Sequence, residues 1–302
     1  SCLTIHPTST PGSKPLLPPT PDRPSAPIIS FAMVAANMAS CLLPIGMPTL
    51  AAPPGRALRT VSGICTCLRP SSFDWSCPEV HTFFCDVLTF WSDRGVDGFR
   101  IDVAHGLAKD LDRDDLDRWH LAEGDDMVDD GTHPLWDRNE VHEIYREWRR
   151  VFDRYNPPRS AVAEAWVLPE RQYLYARPNE LGQTFNFEFA KAIWTYDDMH
   201  AAIEEESDSA STWVLSNHDV PRVATRYALP QIKATRYHQI ALDWLLRDGS
   251  SYDEDRELGE RRARAALLLE LALPGSAYVY QGEELGLFEV ADIPWAALED
   301  PT

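Results

Sequence analysis

The chain has 302 residues, 44% of them hydrophobic, enough to fill the core of one large domain or two ordinary ones. Its formal net charge of −19 lacks the Lys/Arg surplus that neutralising phosphates requires, so no nucleic-acid partner is expected. No apolar run approaches the roughly 18 residues of a membrane span, and the start shows no basic stretch leading into an apolar one, so no membrane partner is expected and the compartment reads as cytoplasmic.

In chain order, the first seventy residues differ from the remainder of the chain. Thirteen of the 24 prolines fall there, no Trp or Tyr does, and five basic residues face the single acid Asp22. This composition predicts an irregular, disordered Pro-rich segment over 1–72 and a folded domain over 73–302. All six cysteines lie within the first 85 residues. Cys65 and Cys67 are spaced C-x-C with no second pair, so incidental thiols are preferred to a metal site or a disulfide framework.

From Glu79, EVHTFFCDVLTFWSDRG places Val80, Phe83, Phe84, Val87, Leu88 and Trp91 at helical spacing, with Gly95 as the stop. The apolar run Phe99 to Val103 reads as a strand, Glu140 to Tyr155 as a second helix closed by Pro157 and Pro158, and AVAEAWV (161–167) as the next strand. The alternation continues with a strand over TFNFEFA (184–190), a helix over 193–206 and a strand over TWVLSNHD (212–219). A long helix over 257–273 and a strand over SAYVYQGEE (276–284) complete it. Strands separated by helices predict an α/β fold with a parallel sheet, and no repeat of 20 to 50 residues is present. Carboxylates that follow apolar strands are placed as barrel enzymes place their chemistry, at the C-terminal rim.

Three such carboxylates stand out: Asp102, Glu164 and Asp219. Arg100 precedes Asp102 by two residues, so on a strand both side chains share a face, and the guanidinium favours the ionised carboxylate a nucleophile needs. Glu164 lies among Ala, Trp and Val, surroundings that favour a protonated acid. Asp219, beside Asn217 and His218, is suited to hydrogen-bond sugar hydroxyls and stabilise an oxocarbenium-like transition state. A retaining glycosidase needs this pairing of ionised nucleophile and protonated acid. Taken singly, each residue reads more simply as a salt bridge, a buried ion pair or a turn cap; together they point to chemistry.

GFRIDVAH (98–105), AEAW (163–166), VLSNHD (214–219) and GSAYVYQGEELG (275–286) resemble the ordered signatures of the α-amylase superfamily, glycoside hydrolase family 13, and within it the bacterial α-glucosidases and oligo-1,6-glucosidases. The resemblance implies a (β/α)8 TIM barrel, of which 73–302 would supply about strands 4 to 8 as a partial catalytic domain. It assigns the nucleophile to Asp102, the acid/base to Glu164, the transition-state stabiliser to Asp219, and substrate contacts to Arg100 and His218. His105 is a further candidate for lining the pocket, with a structural role as its alternative. Val103, directly after the nucleophile, resembles members that prefer α-1,6 linkages. Tyr280 and Glu283 are expected to finish a strand rather than touch sugar, and most of the ten Trp to pack in the core.

The implied activity is double-displacement hydrolysis of α-glucosidic bonds in an oligosaccharide or disaccharide, with no cofactor. Transglycosylation or isomerisation of the sucrose or trehalose type, and a non-catalytic relative, are the alternatives. The acidic stretches 112–118 and 123–131 read as solvated loop, with a calcium site as the minor alternative. The family's Asp-x-x-x-Asn-His motif is missing, and five strand candidates face the eight of a closed barrel, so low stability and little turnover are expected of the isolated chain. Two stretches also have a second reading in frame: with suitable codons, FAMVAANMA (31–39) read from the third base gives RDGRGEHG, and VSGICTC (61–67) gives QWYLHL. Both resemble α-glucosidase sequence, so much of 1–70 reads as an out-of-frame translation, with the correct frame resuming near 73–75.

Overall fold

The computed structural model describes residues 3–5, 29–31, 68–69, 72–116, 130–204, 211–234 and 238–297. The strands are β1 (Leu3–Ile5), β2 (Ile29–Phe31), β3 (Leu68–Arg69), β4 (Ser72–Phe73), β5 (Gly98–Ile101), β6 (Ser160–Ala163), β7 (Thr184–Asn186), β8 (Ser211–Val214) and β9 (Ser276–Val279). The helices are α1 (Pro78–Asp93), α2 (Val141–Phe152), α3 (Pro169–Tyr175), α4 (Phe187–Lys191), α5 (Tyr196–Glu204), α6 (Val223–Ala228), α7 (Gln239–Leu245) and α8 (Arg256–Ala272). The chain divides into two compact units, one of Pro19–Thr184 and the other of Phe185–Thr302 together with Ser1–Pro18.

In the Pro19–Thr184 unit, β5 pairs in parallel with β2 and with β6, and β6 pairs in parallel with β7 through Ala163 and Thr184. The connection from β5 to β6 runs through α2, the strand–helix–strand unit of a (β/α)8 barrel. Helix α1 starts on Pro78, whose missing N–H costs nothing in the first turn, and ends before Gly95 at φ 91°, a left-handed position that suits glycine. It buries Val80, Phe84 and Leu88, four residues apart on one face. Phe84 stacks on Trp75 at 4.9 Å, and Phe99 of β5 stacks on Phe152 of α2 at 5.2 Å. Each such side chain contributes about 1.5–3 kcal/mol by leaving water, and this core seats β5 and β6.

In the Phe185–Thr302 unit, β8 and β9 pair in parallel and β1 adds to β9 antiparallel. Asp255 caps α8 by accepting from the Leu258 N–H at 3.0 Å. Helices α6 and α8 meet at Gly259, where an added Cβ would lie 2.5 Å from the Ala228 Cβ and 2.6 Å from the Ala224 carbonyl.

Several expectations are corrected. TFNFEFA is not one strand: Asn186 caps a helix by accepting from the Phe189 N–H at 2.8 Å, so the chain turns helical at Phe187. The strands expected to run to Val103, Val167, Asp219 and Glu284 end at Ile101, Ala163, Val214 and Val279. Cys77 is disulfide-bonded, against the reading of incidental thiols, while Cys85 is a free thiol. Within 1–72 the described backbone is strand, and the codon-based reading of 31–39 and 61–67 falls outside the described residues except at Phe31. No helix among the described residues is long and apolar enough to cross a membrane.

Candidate active site

The ends of β5 and β6 bring Arg100, Asp102 and Glu164 together. The strands stay zipped past their last paired residues, with Glu164 N–H donating to the Ile101 carbonyl and Ala104 N–H to the Glu164 carbonyl, both at 2.8 Å. Arg100 Nη1 lies 2.7 Å from Asp102 Oδ1 and Nη2 lies 3.6 Å from Glu164 Oε2, so one guanidinium spans both carboxylates. The three side chains are 16%, 15% and 6% exposed, screened from bulk water yet not sealed.

Glu164 accepts from two further donors. The Val103 N–H reaches Oε2 at 2.6 Å and the Trp166 indole N–H reaches Oε1 at 2.5 Å. Val103 can aim its amide there because its backbone is left-handed, φ 46°. For a β-branched residue that conformation costs on the order of 1–3 kcal/mol. Burial nevertheless dominates, pushing the Glu164 carboxyl up from 4.5 to about 7 against the lowering effects of the Val103 N–H, Arg100 and Trp166. A carboxyl so placed is half protonated near neutrality, as an acid that must later serve as a base requires.

His105 is 1% exposed. Its Nδ1 accepts from the Trp166 N–H at 3.2 Å, and its Nε2 is buried without a partner. Burial lowers its pKa to about 3, so it is neutral through the range in which Glu164 titrates. Behind it, the Tyr145 hydroxyl donates to the Ala104 carbonyl, fixing the backbone between Val103 and His105.

His218 and Asp219 lie in the Phe185–Thr302 unit, in the loop after β8. Both are exposed, at 61% and 49%, with His218 Nε2 3.4 Å from Asp219 Oδ1. Asn217 Oδ1 accepts from the Asp219 and Val220 N–H groups at 2.9 and 3.1 Å and so shapes the turn that presents them.

The sequence reading missed three things. Trp166 and the Val103 N–H as partners of Glu164 depend on a left-handed residue that no β-branched side chain advertises. Glu270, in the middle of α8, is fully buried, and neither oxygen has a well-formed hydrogen bond. Burial, aided by the charge of Glu283, raises its pKa from 4.5 to about 9 against the Tyr278 N–H. Glu283, expected to finish a strand, instead turns back so that Oε2 accepts from the Tyr280 N–H at 2.9 Å. Burial raises it to about 7. Among the described residues no group of three His, Cys, Asp or Glu side chains is placed to hold a metal ion, and the calcium alternative falls largely on 117–129, outside the described residues.

Parallel strands joined by helices, with two carboxylates at neighbouring strand ends, give the chain the α/β character of a partial barrel. The chain belongs to the alpha-amylase family: the model of its catalytic domain matches residues 66–252. The oligo-1,6-glucosidase of Parageobacillus thermoglucosidasius is 25% identical over 72% of this chain and 37% of its own length. The trehalose-6-phosphate hydrolase of Escherichia coli (strain K12) is 27% identical over 72% and 36%. The crystal structure of the alpha-glucosyl transfer enzyme XgtA is 24% identical and superposes with a TM-score of 0.54 over 76% of this chain and 40% of its own, which supports the partial (β/α)8 fold. The chain thus spans somewhat over a third of the length of these relatives.

Proposed function

We propose that the chain carries the catalytic centre of a retaining α-glucoside hydrolase in which Asp102 attacks the anomeric carbon and Glu164 first protonates the leaving oxygen, then activates water. Hydrolysis of an α-linked glucose disaccharide or oligosaccharide is favoured, because the chain is similar to proteins named oligo-1,6-glucosidase and trehalose-6-phosphate hydrolase. The observation that carries the reading is the Arg100 guanidinium lying 2.7 Å from Asp102 and 3.6 Å from Glu164, whose carboxyl burial raises to about 7. Retention needs such a pair about 5–5.5 Å apart. No cofactor enters this chemistry. The acid step needs Glu164 protonated, so its rate falls as pH rises through about 7.

Incubation of the chain with 5-fluoro-α-glucosyl fluoride, followed by peptide mass spectrometry, tests the assignment. The glucosyl adduct is expected on the peptide containing Asp102 and is lost in D102N. An adduct on another carboxylate overturns the nucleophile, and absence of both adduct and 4-nitrophenyl α-glucoside turnover in a chain extended to a full eight-stranded barrel overturns the catalytic reading. Glucosyl transfer is the second reading, suggested by the structural likeness to a transfer enzyme. Product analysis with sucrose, maltose, isomaltose and trehalose separates transfer from hydrolysis.

A further inference from the structure

Glu164 is held by a tryptophan that is itself held from two sides. A backbone N–H can only donate, so the 3.2 Å contact from Trp166 N to His105 Nδ1 fixes the imidazole tautomer: Nδ1 accepts and Nε2 carries the hydrogen. The carbonyl of the same Trp166 accepts from the Trp136 indole N–H at 3.0 Å. The rings of Trp136 and His105 are in contact, centroids 3.9 Å apart, and the His105 carbonyl accepts from the Asp137 N–H at 2.8 Å. Both backbone polar groups of Trp166 are thereby fixed, and its indole N–H is left aimed at Glu164 Oε1 at 2.5 Å.

We propose that His105 and Trp136 are positioning residues for Glu164, acting through Trp166 to keep one N–H donor on Oε1 in both charge states of the carboxyl. This rests on the acid/base reading of Glu164, which changes charge twice in each turnover. Burial favours the neutral acid, while N–H donors favour the carboxylate, so the aim of the indole sets the balance between the two roles. The groups facing Glu164 within its unit are Arg100 from β5, Asp102 directly after it, the Val103 N–H and the Trp166 indole. His105 faces Lys109 and the Glu164 backbone and stays neutral, so its acceptor does not switch off where Glu164 titrates.

The test is a 13C NMR titration of the Glu164 carboxyl in the full chain, assigned by its loss in E164Q. W166F, which removes the donor, is expected to raise the midpoint by about one pH unit, the difference between a charge-assisted and a neutral hydrogen bond. H105F, which strands the Trp166 N–H, is expected to raise it by about half as much, and H105N, whose side-chain oxygen can replace Nδ1, to restore it. A midpoint unmoved in W166F, or moved equally in H105F and H105N, overturns the proposal. In the unaltered chain the Trp166 indole proton resonance should follow the Glu164 midpoint and lose that response in E164Q; an indole indifferent to pH also overturns it. These readouts report on Glu164 alone, so they can fail while an adduct on Asp102 stands, and the reverse.

Discussion

Replacing Glu270 with leucine should stabilise the protein at neutral pH and leave it nearly unchanged in acid. The side chain is fully buried in α8, and its pKa is about 9 against 4.5 for a free carboxyl, raised first by burial and then by Glu283. Folded chains therefore bind a proton there that unfolded chains release between these values. The contribution is fully present below pH 4.5 and is lost as pH rises towards 9. Linkage at about 1.36 kcal/mol per pH unit gives a loss of about 2–3 kcal/mol between pH 5 and pH 7. Leucine has a similar volume and no proton to hold, so Glu270→Leu removes that slope. Urea unfolding at pH 5, 6, 7 and 8 measures it through the midpoint at constant m. Wild-type stability that is flat from pH 5 to 8, or a leucine variant less stable than wild type at pH 7, would refute the reasoning.

Three other perturbations test the rest of the structure. Phe152→Ala empties a fully buried site stacked on Phe99 and should cost about 3–5 kcal/mol in urea unfolding; a cost below about 1 kcal/mol would contradict the core assignment. Arg171→Met strands the buried Asp137 carboxylate, which otherwise accepts from the Arg171 guanidinium and the Tyr175 hydroxyl, and should cost about 3–5 kcal/mol. The double variant Asp137→Asn, Arg171→Met should recover part of that loss, and no recovery would argue against an uncompensated charge as the cause. Arg100→Leu removes a cation that lowers the Glu164 pKa, so the Glu164 midpoint should rise above about 7 in the same NMR titration; an unchanged midpoint would show that the guanidinium is not felt.

Where one pattern dominates, the sequence sufficed. Val80, Phe84 and Leu88 repeat every fourth residue, and α1 forms where they predict it. The strand starts at 98, 160, 184, 211 and 276 lie within a residue or two of expectation. Their ends do not, because apolar character continues through Val103, Val167 and Leu215 after the backbone has left the ladder. TFNFEFA alternates like a strand, and only the capping asparagine at 186 marks the turn into α4. Among the site residues, the apolar neighbours of Glu164 correctly suggested a raised carboxyl. The same neighbours concealed that Trp166 hydrogen-bonds it, and the polar nature of His105 concealed that it is buried. The short helices α6 and α7 carry too few periods to be seen, at 6 and 7 residues.

The hydrogen bonds that continue past the paired ends of β5 and β6 set a ruler. Asp102 and Glu164 extend from adjacent rungs, so their separation derives from the roughly 4.8 Å pitch between neighbouring strands rather than from the loops beyond them. Loop sequence can then drift without stretching the gap between the two carboxyl groups.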